Sequence, residues 1–485
     1  MSEHPISSKK LLDMDATAVL QAYRDGVLKP SEAVEIYIAH QKRFNKVLNA
    51  VVEDRYAEAR KEAAHYDALL AEGRIEGKLF GVPMSMKEAF DVAGMHTTGC
   101  VKHLKDRIRE TDADAVKRLR DEGAIILDKT NTPTLCFCQE TDNYLFGRSD
   151  NPWDPLCTTG GSSGGEAALI AVGGAAAGFG SDIGGSIRIP SHFNGVIGFK
   201  AGAFQFSDEG SFPPVTVEHQ RQMLGFGPIV KSVRDAALIY SIIHPLFQPP
   251  SAWEIPSDLK AISFGSFHKT QCTSETEQVL RQAQEVLRKA GAKLNNDVPD
   301  FMIDVALAWQ LIMSEDRGKG VADYAYPNQP KGFYADWARA KLGLKAQNHP
   351  YLSWAIIGTN LFAPNSKRID WITRFLKKGA EQIEKLLGSK GVFIIPTYPS
   401  PAKRHGRIYA EIFGINRSFR WVLPFIALPN VFGLPSIVVP CGWSADGMPI
   451  GLQVASTVGN EQLIFKAAAF LESAFGGYRR STLHD

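Results

Sequence analysis

The segment that most constrains the fold is GGSSGGEAALIAVGGAAAGFGSDIGGSIRIPS, residues 160–191. It contains ten glycines, whereas the chain average of 43 in 485 residues predicts about three. Such a density is typical of backbone that turns tightly or approaches a ligand closely. The apolar runs ALIAV and AAAGFG interrupt the glycines and indicate packed structure, which argues against a flexible loop.

Two familiar glycine motifs fit this segment poorly. A P-loop needs a lysine after its glycines, and a dinucleotide fold needs GxGxxG between a strand and a helix; the segment has neither. Residues 161–165 do match G-x-S-x-G, with Ser163 in the nucleophile position of an α/β-hydrolase and a later histidine such as His405 as its partner. That turn must follow a buried strand, but the proline-containing NPWDPLCTT precedes it. This alternative is therefore disfavoured.

Two serines of the segment, Ser162 and Ser186, lie in glycine-rich surroundings, and no histidine occurs in residues 160–191. A serine nucleophile needs a group that accepts its proton, and a neutral lysine can do this. With two serines, the proton can pass from the nucleophile through a bridging serine to the lysine. The sequence DIGGS, residues 182–186, also predicts a turn whose N–H groups converge on an oxyanion.

Several motifs together resemble the amidase signature family. They are GGSSGGE and SDIGGSIRIPS within the segment, GVPMSMKEAF before it, and DKTNTP, GRSDNPWD, LPNVFGLPSIVVPCG and GMPIGLQVAS elsewhere. The resemblance covers about residues 30–475. Within the family, these motifs and the near-terminal FGGY are most similar to the fatty-acid amide hydrolases of the second type, although the membrane segment often found at their N-terminus is not expected here.

The resemblance implies a catalytic triad. Lys87 is the expected base, Ser162 the bridging serine after a cis peptide bond, and Ser186 the nucleophile that forms an acyl-enzyme. Lys87 must be neutral to accept a proton, so its pKa must fall from about 10.4 towards 7, and burial shifts a lysine pKa in that direction. Strand alternation in VPMSMK predicts that Ser85 and Lys87 lie on the face opposite the two methionines.

The resemblance also implies roles for the residues around the nucleophile. An oxyanion hole is expected from backbone N–H groups, those of Ile183, Gly184, Gly185 and Ser186. The backbone at Cys136 is expected to lie against the substrate, with the thiol in the pocket wall. Three further residues are expected to support these groups: Ser163, Asp182 and Arg188. No metal and no organic cofactor is implied.

Helix-like segments alternate with short apolar runs such as AIILDKT, GVFIIPTYP and LPSIVVPCG, which predicts an α/β protein. The resemblance implies the amidase-signature fold, a large central mixed β-sheet covered by helices on both faces. No repeat or low-complexity linker divides the chain. One domain over residues 1–485 is therefore predicted, with the family core at about 30–475 and a variable substrate-side region at about 300–365.

Composition limits the partners and the compartment. A net charge of +2 argues against nucleic acid, and six cysteines without a CxxC pair favour free thiols in the cytoplasm. The N-terminus has no signal-peptide core, and prolines break the apolar stretch that begins at Phe425, so no membrane span is predicted. A homodimer and peripheral membrane contact are left open.

The apolar segment LSWAIIGTNLFAP, residues 352–364, has three interpretations: an acyl channel, a membrane contact or ordinary core. In the first case, Trp354 and Ile357 are expected to face the acyl chain. The function predicted from all these features is a serine hydrolase of small-molecule carboxamides, with hydrophobic or fatty acyl amides as the leading substrates. The alternatives are hydrolysis of aryl amides, carbamates or esters and the role of a glutamine-dependent transamidation subunit, beside the α/β-hydrolase described above.

Overall fold

The computed structural model describes residues 6–414 and 418–483. Within these ranges the strands are β1 (Val51–Asp54), β2 (Pro83–Lys87), β3 (Ile125–Thr130), β4 (Ala177–Asp182), β5 (Ile197–Lys200), β6 (Gly225–Val230), β7 (Lys260–Ile262), β8 (Lys293–Asn295), β9 (Gly391–Pro396), β10 (Ser436–Trp443) and β11 (Pro449–Ala455). These eleven strands form one sheet in the order β1-β3-β2-β4-β6-β5-β10-β11-β9-β7-β8. The β2–β3, β2–β4, β7–β8 and β7–β9 pairs are parallel and the others antiparallel, so the sheet is mixed.

The α-helices of the described residues surround this sheet. They are α1 (Ser8–Asp13), α2 (Ala16–Arg24), α3 (Pro30–Leu48), α4 (Tyr56–Ala71), α5 (Asp114–Asp121), α6 (Gly164–Ala171), α7 (Arg188–Asn194), α8 (Glu218–Met223), α9 (Val233–Ile243), α10 (Ser274–Lys289), α11 (Val305–Met313), α12 (Lys319–Ala325), α13 (Gly332–Lys341), α14 (Pro350–Leu361), α15 (Ser366–Leu387), α16 (Arg407–Phe413), α17 (Phe419–Val422), α18 (Pro424–Val431) and α19 (Glu461–Phe475).

Helices cover both faces of the sheet, as the alternation along β9 demonstrates. Val392 and Ile394 pack into a core that includes α9 and α19. Phe393 and Ile395 point the other way, into a second core with α11, α15 and α18. Because successive strand residues face opposite sides, a strand buried at every position needs cover on both sides. The predicted α/β fold with a mixed sheet between two helical layers is confirmed.

Both apolar segments that the sequence analysis considered for a membrane span or contact belong to helices and strands of this fold. The stretch that begins at Phe425 forms most of α18 and continues into β10. Residues 352–361 belong to α14, on which Leu352, Ile356 and Ile357 are buried in a cluster of their own with residues of α12 and α13. Among the described helices, none combines the length and the apolar character that crossing a bilayer requires.

Candidate active site

Lys87 is the last residue of β2 and is completely buried. The two methionines of the strand pack into the core, whereas Lys87 faces the opposite side, as the alternation predicts. Its Nζ donates to Ser162 Oγ at 2.7 Å, to Ser181 Oγ at 2.9 Å and to the Ser181 carbonyl at 3.3 Å. Because β2 and β4 are parallel neighbours, their carboxyl ends meet at one sheet edge, which brings Ser181 beside Lys87.

The pKa of Lys87 is lowered from its ordinary value, chiefly because burial disfavours the charged amine. Cys136, Asp182 and Glu166 act against this shift, since each favours the ammonium form. Glu166 itself accepts hydrogen bonds from Ser85 and Thr130, and its burial raises the pKa of that carboxyl to about 7. Burial thus shifts Lys87 towards the neutral amine that a proton acceptor requires.

Ser162 and Ser186 come from two loops that the backbone holds together. Ser162 follows a cis peptide bond from Gly161, and Ser163 lies at the N-terminal end of α6. The Ser163 N–H donates to the Ser186 carbonyl at 3.0 Å, and the Ser163 hydroxyl lies 3.5 Å from the Ser181 carbonyl. Both hydroxyl-bearing residues, Ser162 and Ser186, line the same small cavity. Within the described part of the chain, the Ser186 hydroxyl makes no hydrogen bond.

The turn that carries Ser186 is held by a buried ion pair. Arg188 donates Nε to Asp182 Oδ2 and Nη2 to Asp182 Oδ1, each at 3.0 Å, and neither side chain is exposed. Arg188 Nη1 also donates to the Ile426 carbonyl and to Gln453 Oε1. Burial alone raises the pKa of Asp182, but the charge and hydrogen bonds of Arg188 outweigh it and hold that pKa well below the usual range. The turn is thereby anchored to α18 and β11.

Side chains from outside the turn also fix two of its peptide groups. Trp309 Nε1 donates to the Ile183 carbonyl at 3.0 Å, and Gln139 Nε2 donates to the Gly184 carbonyl at 3.2 Å. In a trans peptide the N–H points away from the carbonyl of the same peptide group. The two bonds therefore orient the N–H groups of Gly184 and Gly185. Residue 184 must be glycine because a Cβ there would lie 2.7 Å from a ring carbon of Trp309.

The four N–H groups expected in the oxyanion hole are not equivalent. Gly185, at φ +95°, donates its N–H to Asp182 Oδ1 at 2.8 Å, so this donor is already engaged. Within the described residues, no acceptor in the protein takes the N–H groups of Ile183, Gly184 or Ser186. The structure therefore leaves three of the four donors available to a ligand.

Ser186 borders a large apolar cavity of about 290 Å³. Most of its wall is aromatic or aliphatic, from residues that include Trp309, Met313, Trp354, Phe362, Ile412, Phe413 and Phe419. Cys136 lies between this cavity and the smaller one that contains Ser162. Leu135 and Cys136 both have positive φ, 54° and 56°, which places two consecutive non-glycine residues in a sparsely populated conformation at the site.

Helix α14 contributes one face to the cavity and another to the core. Trp354, Gly358 and Leu361 line the cavity, and Trp354 Nε1 donates to the Phe413 carbonyl at 2.7 Å. The prediction that Ile357 faces an acyl chain is wrong, because this residue is buried in the cluster behind the helix. The helix is apolar on nearly every side, so sequence periodicity does not indicate which side faces the cavity.

Sequence reasoning missed three residues of the site. Ser181 could have been noticed as the polar residue that precedes Asp182 at the end of β4, and Glu166 as the buried acid of GGSSGGE. Trp309 has no such signal, because only the packing of α11 against the turn brings it to Ile183.

The structure contradicts the α/β-hydrolase alternative. Ser163 follows a loop rather than a strand, and its neighbours are backbone groups of Ser181 and Ser186. His405 lies between Glu140 and Asp150, with both contacts at 3.3 Å, and these two hydrogen bonds outweigh burial and raise its pKa to about 9. A protonated histidine held by two carboxylates is not a base for Ser163. Among the described residues, no three His, Cys, Asp or Glu side chains form a metal-binding group.

Comparison with known proteins agrees with this geometry. The Amidase family profile matches residues 32–465. Fatty-acid amide hydrolase 2-B of Danio rerio is 30% identical over 491 residues, 98% of this chain and 92% of that protein. A glutamyl-tRNA(Gln) amidotransferase chain of Synechococcus is 28% identical over 487 residues, 95% of this chain and 96% of that protein.

A solved structure of 6-aminohexanoate cyclic dimer hydrolase, complexed with its substrate, has the same fold. It superimposes with a TM-score of 0.78 at 25% identity, covering 98% of this chain and 100% of the other. These likenesses extend over nearly the whole sequence, including both serine loops and the strand that ends at Lys87. The chain therefore belongs to the Amidase family, the amidase signature enzymes, and is an amide-cleaving hydrolase.

Proposed function

We propose that Lys87, Ser162 and Ser186 form a Ser-Ser-Lys triad that cleaves amides through an acyl-enzyme. The observation that carries this proposal is the 2.7 Å hydrogen bond from Lys87 Nζ to Ser162 Oγ, in a buried site that also lowers the pKa of the lysine. Ser186 lies on the same small cavity as Ser162, with its own hydroxyl free for attack. Catalytic hydrogen bonds are often incomplete before substrate binds, so the Ser186–Ser162 bond is expected to form in the complex.

In the first half-reaction, Ser186 Oγ attacks the carbonyl carbon and passes its proton to Ser162 Oγ. Ser162 in turn gives its proton to neutral Lys87. When the tetrahedral intermediate collapses, the C–N bond breaks and the leaving nitrogen receives a proton from Ser162, which Lys87 replaces. Water then attacks the ester by the same route, releases the carboxylic acid and restores neutral Lys87. Protons and electron pairs balance without any cofactor.

The N–H groups of Ile183, Gly184 and Ser186 are the proposed oxyanion hole. Removal of one such donor in other hydrolases lowers kcat by about 10²–10³. Gly185 has a different role, since its N–H donates to the Asp182 carboxylate and so stabilises the turn. The bond from Trp309 holds the peptide group that carries the Gly184 N–H in place before the charge develops, which is what makes such a hole effective. The bond from Gln139 fixes the next peptide group, which carries the Gly185 N–H, and so supports the turn.

A hydrophobic acyl group is the proposed substrate feature. The cavity beside Ser186 has a volume of about 290 Å³ and a largely apolar wall, which suits a hydrocarbon chain better than a glutamine side chain. The likeness to fatty-acid amide hydrolase 2-B supports the same substrate class. Three further predictions stay predictions: peripheral membrane contact, a homodimer and a cytoplasmic location. An exposed apolar residue at the cavity wall, Leu361, is compatible with the first of them, since 68% of it is exposed.

The test is a series of amides that share one amine and differ in acyl length from acetyl to dodecanoyl. Four added methylenes contribute about 3 kcal/mol if all are buried, so kcat/KM should rise around a hundredfold over four carbons. A flat profile would remove the acyl preference while leaving amide cleavage intact.

Parallel assays separate the alternatives. Anilides, carbamates and esters with the preferred acyl group define the leaving group, and glutamine tests the transamidation role. Release of ammonia from glutamine that depended on added partner proteins, without cleavage of acyl amides, would favour the transamidation role suggested by the amidotransferase relative.

A further inference from the structure

Two cavities meet at Ser186, and they differ in the groups they contain. The larger, apolar one is the acyl cavity described above; the other has a volume of about 90 Å³ and is called the amine chamber here. Cys136, Ile183 and Met313 line both of them. Ser162 and Ser181 line the amine chamber but not the acyl cavity.

The position of Ser162 determines which part of the substrate enters which cavity. This step rests on the proposed function, in which Ser162 protonates the leaving nitrogen as the C–N bond breaks. The nitrogen must therefore lie on the side of Ser186 where the Ser162 hydroxyl lies, and that side is the amine chamber. The acyl group, on the other side of the same carbon, then extends into the larger cavity.

The amine chamber contains a carboxylate. Asp316 lines it together with Gly318 and Gly320. The Asp316 oxygens accept the N–H groups of these two glycines, each at 2.9 Å, so the carboxylate is held on the same wall. Among the described residues, Asp316 is the one Asp, Glu, Lys or Arg that lines either cavity. The rest of the polar wall is neutral and includes Thr216 and Gln220.

No cation of the protein is hydrogen-bonded to this carboxylate within the described part of the chain. The nearest lysine in sequence, Lys319, extends to the surface and pairs with Asp323 at 2.8 Å. Each carboxylate oxygen has accepted one backbone N–H and retains further acceptor capacity. Asp316 is only partly buried, and Lys319 attracts it only through space, so a ligand that brings a positive charge would meet a carboxylate to which no side-chain cation of the described residues is hydrogen-bonded.

We propose that the amine chamber selects leaving amines that carry a second, positively charged nitrogen, with Asp316 as the residue that determines this specificity. The substrate class is a mono-N-acylated diamine with a hydrophobic acyl group. Hydrolysis gives the carboxylic acid and the free diamine, whose second ammonium group takes no part in the chemistry. A charge-assisted hydrogen bond to a carboxylate is about twice as strong as a neutral one, which makes charge the main determinant.

The experiment compares three amides of octanoic acid with leaving amines of matched length. The amines are 1,4-diaminobutane, pentylamine, in which a methyl group replaces the ammonium, and 5-aminopentanoate, which carries a carboxylate. The expected order of kcat/KM is diamine, pentylamine, aminopentanoate, with at least about a tenfold advantage of the diamine over pentylamine. In Asp316→Asn the diamine and pentylamine amides should become equal within about twofold.

The ratio between substrates, rather than any single rate, is the readout, because a purely structural role of Asp316 would lower all three rates together. Asp370→Asn is the matched control, since it removes an equal charge at an exposed position of α15 that lines neither cavity and should leave the ratio unchanged. The proposal is overturned by equal rates in the unmodified enzyme, by a ratio that survives in Asp316→Asn, or by a ratio that Asp370→Asn also abolishes. Failure of the unmodified enzyme to cleave any of the three amides would instead overturn the proposed function, and this inference with it.

Discussion

The segment 160–191 and the helical wall formed by α11 to α14 build the two sides of one site, but they are constructed differently. Every residue of the segment is buried except Ser181 and Ile183, which are partly exposed. The helical wall places Trp354 and Met313 against the cavity with partial exposure, and Leu361 is largely exposed. The comparison indicates that the segment is packed at nearly every position, whereas the helical wall is more open. Under the proposed function, the segment would hold the reacting atoms and the helices would select the substrate.

The largest expected effect comes from a comparison of two buried lysines on the neighbouring strands β2 and β3. Lys87→Met should lower kcat/KM by about 10⁴, because proton transfer alone commonly contributes 10²–10⁴-fold and the triad acts as a unit. Lys129 is also completely buried, but its Nζ donates to the His96 carbonyl and to Thr97 and faces no serine of the site. Lys129→Met is the matched control. Once circular dichroism shows that this variant is folded, its kcat/KM should lie within tenfold of the value of the unmodified enzyme.

A second prediction concerns the rigidity of the segment. Asp182→Asn leaves the Arg188 guanidinium buried without its anion, which should lower the free energy of unfolding by about 3–5 kcal/mol. Asp323→Asn, in the helical wall, removes an exposed partner of Lys319 and should leave that free energy nearly unchanged. Urea unfolding followed by circular dichroism measures both. Equal losses would mean that the segment is no more tightly held than the wall.

The third prediction tests the two faces of α14. Trp354→Gln should flatten the rise of kcat/KM with acyl length, removing up to the roughly hundredfold gain over four methylenes, while acetyl amides are cleaved nearly as before. Ile357→Ala is the control on the same helix. It should lower the melting temperature because it opens a space in the core, yet preserve the dependence on acyl length. Identical length profiles for the two variants would contradict the assignment of the faces.

The smallest expected effect is a shift in pH dependence. Activity should rise with pH as Lys87 loses its proton, with a midpoint at the lowered pKa of that residue. The Ser181 hydroxyl accepts from Lys87 Nζ and so favours the ammonium form. Ser181→Ala should therefore move the midpoint to lower pH with little change in the plateau rate. A midpoint that stayed in place, or rose, would exclude this role for Ser181.

The resemblance of short motifs to the amidase signature family supplied the prediction of Lys87, Ser162 and Ser186 as a triad. Strand alternation added the face on which Lys87 lies, because it is a local feature. Short apolar runs such as β3, β9 and β10 predicted the α/β class, and the resemblance supplied the mixed sheet and its two helical layers. Ser181 was missed because its contact with Lys87 depends on the parallel pairing of β2 with β4.

Sequence patterns were least informative about the helical wall. Trp309 and Asp316 reach the site only through the packing of helices far along the chain from the serines. On α14, apolar residues occur on nearly every side, so Trp354 and Ile357 were indistinguishable until their neighbours were known. Tertiary contacts of this kind leave no periodic signal.

The central claim is that Ser186 is the nucleophile and that Lys87 activates it through Ser162. The most direct test is to treat the full-length protein with a fluorophosphonate and to map the adduct by mass spectrometry after proteolysis. The account predicts one adduct, on Ser186, formed far more slowly in Lys87→Met. An adduct on Ser163 or Cys136, or labelling of Ser186 at an undiminished rate without Lys87, would contradict it.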